Sequence, residues 1–527
     1  MSEGETTRVR VRGVLLSEVM AALSLATDVA MGIPLESGLA VCLGATGLAS
    51  RMDLGAEELR RVYYLALLRH IGCTAGSDEI GRAVGDEIAM RGHMGTADFA
   101  DPREMFGVMR RHIRSVNPPT ARPGAWIRAL QGAPKIRAGS RAVCEVAQML
   151  ADRIGFDEVF HLDIAMTGER FDGKGFPGDY RGEQVSRPAM IVQTVELGLT
   201  AASLDGPDAA VALVERRSGG QLDPISAAAF ARNAPDVIAD ATAVESPWDA
   251  VIAAEPGEPE PMDDDRLDAA LRAIADFADL KSPYLVGHSS GVAELAARAA
   301  ERAGLPPADV AGVRRAGWVH DLGRVGVPSM LWGKRGQLSL DDWERIRMHA
   351  YQTDRILARP EGLRPIGQIA SMHHERCDGS GYFRGSTQQP LAARILAAAD
   401  AFHAMTEERP HRPAMTAARA AEAVQAEVIA GRLDADAAAA VQEAAGRPVR
   451  RRRDQVGGLT AREIEVLRLL ARGRSIRQIA HELVISPKTA DAHIQHIYAK
   501  AGVSTRAAAT MYALRHGLLD GGSDAQP

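Results

Sequence analysis

Seven residues between positions 288 and 400 carry side chains that bind first-row metals. They are His288, the adjacent pair His320 and Asp321, His349, the pair His373 and His374, and Asp400. Neutral imidazole and carboxylate are ligands for iron, manganese or zinc. One histidine on an apolar helix face is ordinarily a hydrogen-bonded core residue. Two adjacent pairs plus three single residues within 113 positions predict instead one site built between packed helices.

The remainder of the chain supplies such helices. It has 527 residues, 46% hydrophobic, 25% charged and 4% aromatic, enough for about three domains that each bury a core. This composition excludes a wholly disordered, collagen-like or disulfide-scaffolded chain. Apolar residues recur with helical spacing and almost never alternate as in a strand, so the predicted fold class is all-α. No apolar run approaches the roughly 18–20 residues of a membrane span, and residues 1–13 hold no signal-like apolar segment. The four cysteines, Cys42, Cys73, Cys144 and Cys377, form no CxxC pair, as expected of reduced thiols in the cytoplasm.

The expected divisions are a frayed start (1–16), a helical domain (17–240), a Pro- and acid-rich linker (241–266), a second helical domain (267–446), a basic linker (447–458), a small terminal module (459–519) and a tail (520–527). Charge follows them. From Arg447 onward there are 14 Lys/Arg against 7 Asp/Glu, so this end carries +7 and residues 1–446 carry −13 of the formal −6. A basic module on an acidic body predicts nucleic acid at one end and another ligand elsewhere.

The two helical domains are copies. Glu169-Arg-Phe-Asp-Gly-Lys-Gly-Phe-Pro-Gly aligns with Glu375-Arg-Cys-Asp-Gly-Ser-Gly-Tyr-Phe-Arg, 206 positions later, and LLRHIG (67–72) aligns with WVHDLG (318–323) at an offset of 251. The difference leaves about 45 extra residues in the first copy, expected around 75–135. That copy lacks the ligands. Ser37 stands for His288, Arg69-His70 for His320-Asp321, Val143 or Cys144 for His349, Thr167-Gly168 for the histidine pair, and Glu196 for Asp400. No metal is expected there, and packing, pseudo-dimerisation or ligand sensing are its expected roles.

In the second copy, His320-Asp321-Leu-Gly-Arg-Val-Gly-Val-Pro, LWGKRGQLS (331–339), His349, HHERCDGSGY (373–382) and ARILAAAD (393–400) together resemble the HD-GYP phosphodiesterases. The resemblance covers nearly all of 267–446. It implies a helical metallohydrolase that opens cyclic di-GMP, with His288, His320, Asp321, His349, His373, His374 and Asp400 as ligands of two divalent metals, iron or manganese, bridged by Asp321. In that scheme the cations activate a water and neutralise phosphoryl charge. Gly379, Gly381 and Tyr382 would lie on a loop beside the substrate. The sequence departs from the family pattern at four places: Arg324 replaces the usual Lys of the HD motif and remains able to hold a phosphate, Phe383 replaces the Pro of Gly-Tyr-Pro, His403 replaces an Asp, and His411 replaces a Tyr. Tyr284 stands where some members place a Glu for a third metal, so two metals are expected. Cys377, inside the motif, reads as a packed small residue.

Thr460-Ala-Arg-Glu463 is a capping box, Gly473 a helix stop, and Ser486-Pro487 an N-cap with a first-turn proline. Four short helices follow, the second and third forming a helix-turn-helix. Residues 459–519 closely resemble the LuxR-type DNA-binding domain. By that resemblance Lys488, Thr489 and Lys500 would touch phosphates, Asp491, Ala492 and Gln495 would face base edges, and the final helix would pair two copies on double-stranded DNA.

The fold expected is therefore two tandem HD-type helical domains plus a four-helix LuxR-type module, in a cytoplasmic homodimer with no membrane association. The function expected is a transcriptional regulator carrying a cyclic dinucleotide phosphohydrolase. The alternatives are a nucleotide-sensing regulator with little turnover and a hydrolase of another phosphoester.

Overall fold

A computed structural model of the chain describes residues 13–446 and 458–519. The basic linker (except Gly458), the tail after Leu519 and residues 1–12 lie outside the described residues, as does the Arg450–Arg453 run. Among the described residues there are helices and three isolated bridges, with no strand.

Each copy is organised around one central helix whose start is built identically. In the first copy, Ser37–Arg51 packs on Ala56–Leu68, Arg187–Asp205 and Pro224–Thr242; in the second, His288–Arg302 packs on Pro307–Val319, Leu391–Thr406 and Ala435–Ala445. Both central helices are entered through a left-handed residue, Glu36 (φ 74°) and Gly287 (φ 83°). A buried aspartate satisfies the first turn of each. Asp28 accepts from Gly38 N at 3.1 Å, and Asp279 accepts from Ser289 N at 2.9 Å. Burial pushes both carboxyls up to about 7, a feature repeated 251 positions apart.

The copies do not keep separate cores. One apolar cluster runs from Val14 through both, and the helix Leu16–Met31 packs on the Leu322–Gly326 turn of the other copy. Across this junction Lys281 Nζ lies 2.8 Å from Glu87 Oε1, with both side chains at 0% exposure. Glu87 also accepts from Ser329 N and Oγ. Burial opposes charge on both partners, but Lys281, Arg91 and the Ser329 amide hold the Glu87 carboxyl below its ordinary value. The extra residues of the first copy include Ser77–Val84, Glu87–Gly92 and Pro102–Val116, which share a small apolar cluster of their own.

The segment read as a linker from its proline and acid content is packed. Pro247–Ala253 is helical, Tyr64 donates to Glu255, and Leu16 N donates to Glu260 O at 3.0 Å. Val14 O likewise accepts from Met262 N, so the expected frayed start ends before residue 14. Composition misread this segment because its order comes from contacts with residues about 200 positions away.

The terminal module has the four expected helices, Ala461–Ala471, Ile476–Glu482, Pro487–Ala501 and Arg506–Arg515. The capping box is formed, with Thr460 and Glu463 exchanging hydrogen bonds. The turn between its middle helices carries a strained residue. Val484 has φ 54° and is 91% exposed, and a β-branched side chain there costs about 1 kcal/mol or more. Val484→Asn, with nothing buried to lose, is expected to stabilise the module by about 1 kcal/mol, slowing exchange of the Ile479 and Ile497 amides about fivefold. Unchanged exchange would show that the turn stores no strain.

Candidate metal centre and nucleic-acid interface

The seven expected ligands converge in two groups, His288, His320, Asp321 and Asp400 in one, and His349, His373 and His374 in the other. His288 opens the central helix, and His320-Asp321 closes the helix before the Leu322–Gly326 turn. His349 lies in Leu340–Leu357, His373-His374 follow Arg364–Ala370, and Asp400 lies in Leu391–Thr406. Asp321 stands between the groups. Its Oδ1 is 3.4 Å from both His349 Nε2 and His373 Nε2, while its Oδ2 is 2.9 Å from His320 Nε2 and 3.4 Å from His288 Nε2.

Local helix geometry aims the imidazoles. His320, His349 and His373 each turn Nδ1 to the carbonyl three residues back, at 2.7, 2.5 and 2.7 Å. A carbonyl only accepts, so Nδ1 carries the proton and Nε2 presents its lone pair to the centre. His288 reaches the same result differently, with Nδ1 donating to Glu407 Oε2 at 2.9 Å. Arg409 in turn donates to Glu407 at 2.7 Å and to Tyr284 O at 3.0 Å.

These groups fit divalent cations. The Nε2 atoms of His349 and His373 face each other at 3.1 Å, an arrangement of two lone pairs that is repulsive unless a cation lies against both. Burial pushes His349 down to about 3, and lowers His373 and His374 as well, so this group consists of neutral donors. Burial would raise the Asp321 carboxyl, yet Arg324 and His320 hold it well below the carboxylate range. His320 Nε2 and both Asp321 oxygens are buried without a well-formed hydrogen bond, although oppositely charged neighbours lie close. Carboxylates and neutral imidazoles are a donor set for first-row divalent metals.

Glu407 was invisible to sequence reasoning. It lies seven residues past Asp400 at the C-cap of its helix, and a glutamate there carries no spacing signal. A carboxylate that fixes a ligand's tautomer and ring orientation raises the ligand's basicity and so its hold on a metal. Glu407→Gln is expected to lower affinity for Mn²⁺ about 10–100-fold in competition with a chromophoric chelator. Equal affinity would remove this positioning role. His403, the departure from the family pattern, pairs with Glu407 at 3.3 Å, so His288, His403 and Glu407 form a third cluster.

The first copy replaces metal charge with protein charge. Arg69 Nε and His70 Nε2 both meet Glu196 Oε1, at 2.9 and 3.0 Å. Burial alone would raise that carboxyl, but Arg69 and His70 hold it well below the ordinary range. The guanidinium of Arg69 thus balances the one anion retained at this position, and the fold survives loss of the ligand set.

Arg324 lies 2.6 Å from Asp321 through Nη2, and its Nε and Nη1 are buried without hydrogen-bond partners. Tyr382 stacks on His374 with centroids 4.6 Å apart, and the Arg347 guanidinium lies 5.6 Å from the Tyr382 ring. A cavity of about 310 Å³ at this mouth is lined by Trp343, Arg347, Arg376, Gly381, Tyr382 and Arg432, among others. Gly381 could be no other residue, since a Cβ would lie 2.4 Å from Arg376 N. Gly379 is left-handed (φ 78°). Cys377 is half-buried and free, and its backbone N–H donates to Arg432 O.

In the terminal module Lys488, Thr489, Asp491, Ala492 and Gln495 are exposed on one helix. Lys500 is exposed as well, and its ammonium is held by Glu463 at 2.9 and 2.7 Å, tying the third helix to the capping box of the first.

An HD domain is matched over residues 272–437, and a DNA-binding domain described as "Bacterial regulatory proteins, luxR family" over 458–513. Over 446 residues the chain is 27% identical to 3'3'-cGAMP-specific phosphodiesterase 3 of Vibrio cholerae, covering 81% of this chain and 94% of that protein. The crystal structure titled as the V. cholerae cyclic GMP-AMP phosphodiesterase V-cGAP3 superposes with a TM-score of 0.57 at 22% identity, over 83% of this chain and 99% of that one, which shows a shared fold. Over 62 residues the chain is 53% identical to "Probable transcriptional regulatory protein NarL" of Mycobacterium tuberculosis, covering 12% of this chain and 29% of that regulator. No helix among the described residues is long and apolar enough to cross a membrane. The chain thus carries an HD domain over 272–437 and a luxR-family DNA-binding domain over 458–513, and it is similar over most of its length to a cyclic dinucleotide phosphodiesterase.

Proposed function

We propose that the second HD copy hydrolyses cyclic di-GMP or a related 3',3'-cyclic dinucleotide at a two-metal centre, and that the luxR-type domain couples this domain to transcription in the cytoplasm. The observation that carries the reading is Asp321, whose two oxygens address two separate ligand groups beside an arginine with free buried donors.

His288, His320, Asp321 and Asp400 would hold one divalent cation, and His349, His373 and His374 beside Asp321 a second, iron or manganese; such cations would supply an activated water at neutral pH and neutralise phosphodiester charge. Arg324, whose Nε and Nη1 are buried without partners, could as a fork bind two phosphoryl oxygens. Arg347, Arg376 and Arg432 line the mouth where a second phosphate of a cyclic dinucleotide would lie. Trp343 and Tyr382 offer ring faces to a base. The body carries −13 overall, so an anionic nucleotide is drawn by these local cations rather than by the general field.

The test is the metal-reloaded full chain incubated with cyclic di-GMP and with 3',3'-cGAMP. Linear dinucleotide is the expected product, and the faster of the two identifies the substrate. No product from either would favour the sensing alternative if binding persists, and another phosphoester if it does not. On the DNA side, Lys488→Ala is expected to weaken binding to all duplexes alike and to lower the salt slope by about 1. An unchanged slope would take Lys488 off the phosphates.

A further inference from the structure

Three buried nitrogens beside the metal centre carry hydrogens and have no acceptor in the chain. Two belong to Arg324, whose Nε and Nη1 lack partners while Nη2 meets Asp321 at 2.6 Å. The third is Nε1 of Trp332, equally buried and equally unpartnered. The two side chains lie against each other. The Arg324 guanidinium sits over the Trp332 ring, 5.1 Å from its centroid, and that ring meets His349 edge-on with centroids 6.3 Å apart.

A buried donor without an acceptor is destabilising, and natural structures seldom keep one without a use. Guanidinium and indole N–H groups only donate, so the cluster can be satisfied only by a group rich in acceptors. Asp321 takes Nη2 and leaves these three nitrogens unpaired, so that group comes from outside the chain. The turn carrying Trp332 is pinned. Ser329–Trp332 is one helical turn, and Ser329 at its start donates through N and Oγ to the buried Glu87, at 2.9 and 2.8 Å. The ring also bears on the exchange of lysine for arginine at position 324. An ammonium is a compact charge that needs no flat support, whereas the plane of a guanidinium decides where its donors point. A cation held over an indole face is attracted to it, and that contact sets the plane.

We infer that Trp332 and Arg324 form one phosphate cradle, in which the indole ring orients the guanidinium and Nε1 gives a third hydrogen bond to a phosphoryl oxygen. The ligand class is a tetrahedral oxyanion, free or within a phosphodiester. Its place in a nucleotide substrate rests on the phosphohydrolase reading above. The cradle itself does not, because inorganic phosphate reports it without turnover.

The test uses the Mn²⁺-loaded full chain and inorganic phosphate, followed by isothermal titration calorimetry. Trp332→Phe keeps a ring under Arg324 and removes only the donor. It is expected to weaken phosphate about tenfold, the loss of one charge-assisted hydrogen bond. Trp332→Leu removes the ring as well and is expected to weaken phosphate further. Arg324→Lys is expected to cost the wild type about tenfold but less than about twofold in the Trp332→Leu background, because a guanidinium without its support acts only as a point charge. Mn²⁺ affinity, read by competition with a chromophoric chelator, is expected to stay at the wild-type value in Trp332→Phe. Wild type that binds no phosphate at millimolar concentration, Trp332→Phe that binds it as wild type does, or a loss that follows Mn²⁺ affinity overturns the inference. The expected pattern in a chain that hydrolyses neither cyclic di-GMP nor 3',3'-cGAMP supports the cradle and removes the proposed hydrolysis alone.

Discussion

Asp321→Asn will cut cyclic dinucleotide hydrolysis by roughly 1,000-fold or more while leaving DNA binding intact. Asp321 faces both ligand groups at close range, within 3.4 Å of four imidazoles and 2.6 Å of Arg324. Asparagine keeps the volume but removes the charge and replaces one oxygen by a donor. The change also removes a carboxylate oxygen that faces His288 and His320. Metal occupancy, measured by elemental analysis of the purified protein, is expected to fall along with activity. The terminal module has its own core, so its affinity for duplex DNA serves as the internal control. Activity above a tenth of wild type at full metal occupancy would mean that Asp321 does not span the two ions.

The second large effect is on stability. Lys281→Met leaves the Glu87 carboxylate buried without its cation, a change that costs about 3–5 kcal/mol. For a unit of this size, two copies sharing one core, that lowers the melting temperature by roughly 3–6 °C. Adding Glu87→Gln should recover most of the loss, because a neutral amide oxygen still accepts from Ser329 N and Oγ. The double variant distinguishes a buried unpaired charge from a cavity, since only the former is repaired by neutralising Glu87. If Lys281→Met melts with the wild type, the pair contributes nothing to holding the two copies together.

Much of the centre was legible because metal chemistry restricts residue type. Histidine and aspartate stand out in a chain whose helices are otherwise Ala- and Leu-rich, and their order and spacing matched a known pattern. Glu407 was not legible, since a surface glutamate and a glutamate that fixes His288 look alike until the helix carrying Asp400 ends beside His288. The module was legible for a similar reason. Capping boxes and stop glycines are local signals, written within four residues of the ends they control. The pairing of Lys500 with Glu463 was not legible, because it is set by how two helices of the module cross.

The sequence by itself determined the helical class, the internal repeat, the ligands present in one copy and missing from the other, and the basic end that carries +7 from Arg447 onward. Each of these is a matter of residue type or of spacing along the chain. Only the tertiary structure decided how the copies share a core, that Lys281 finds Glu87, that Arg69 takes over the charge left at Glu196, and that the last helix of the module rests on the body. The physical reason is common to all four. A buried charge or an apolar stripe specifies that it must have a partner, but the choice among many candidate partners depends on which surfaces packing brings together over separations of 100 residues or more.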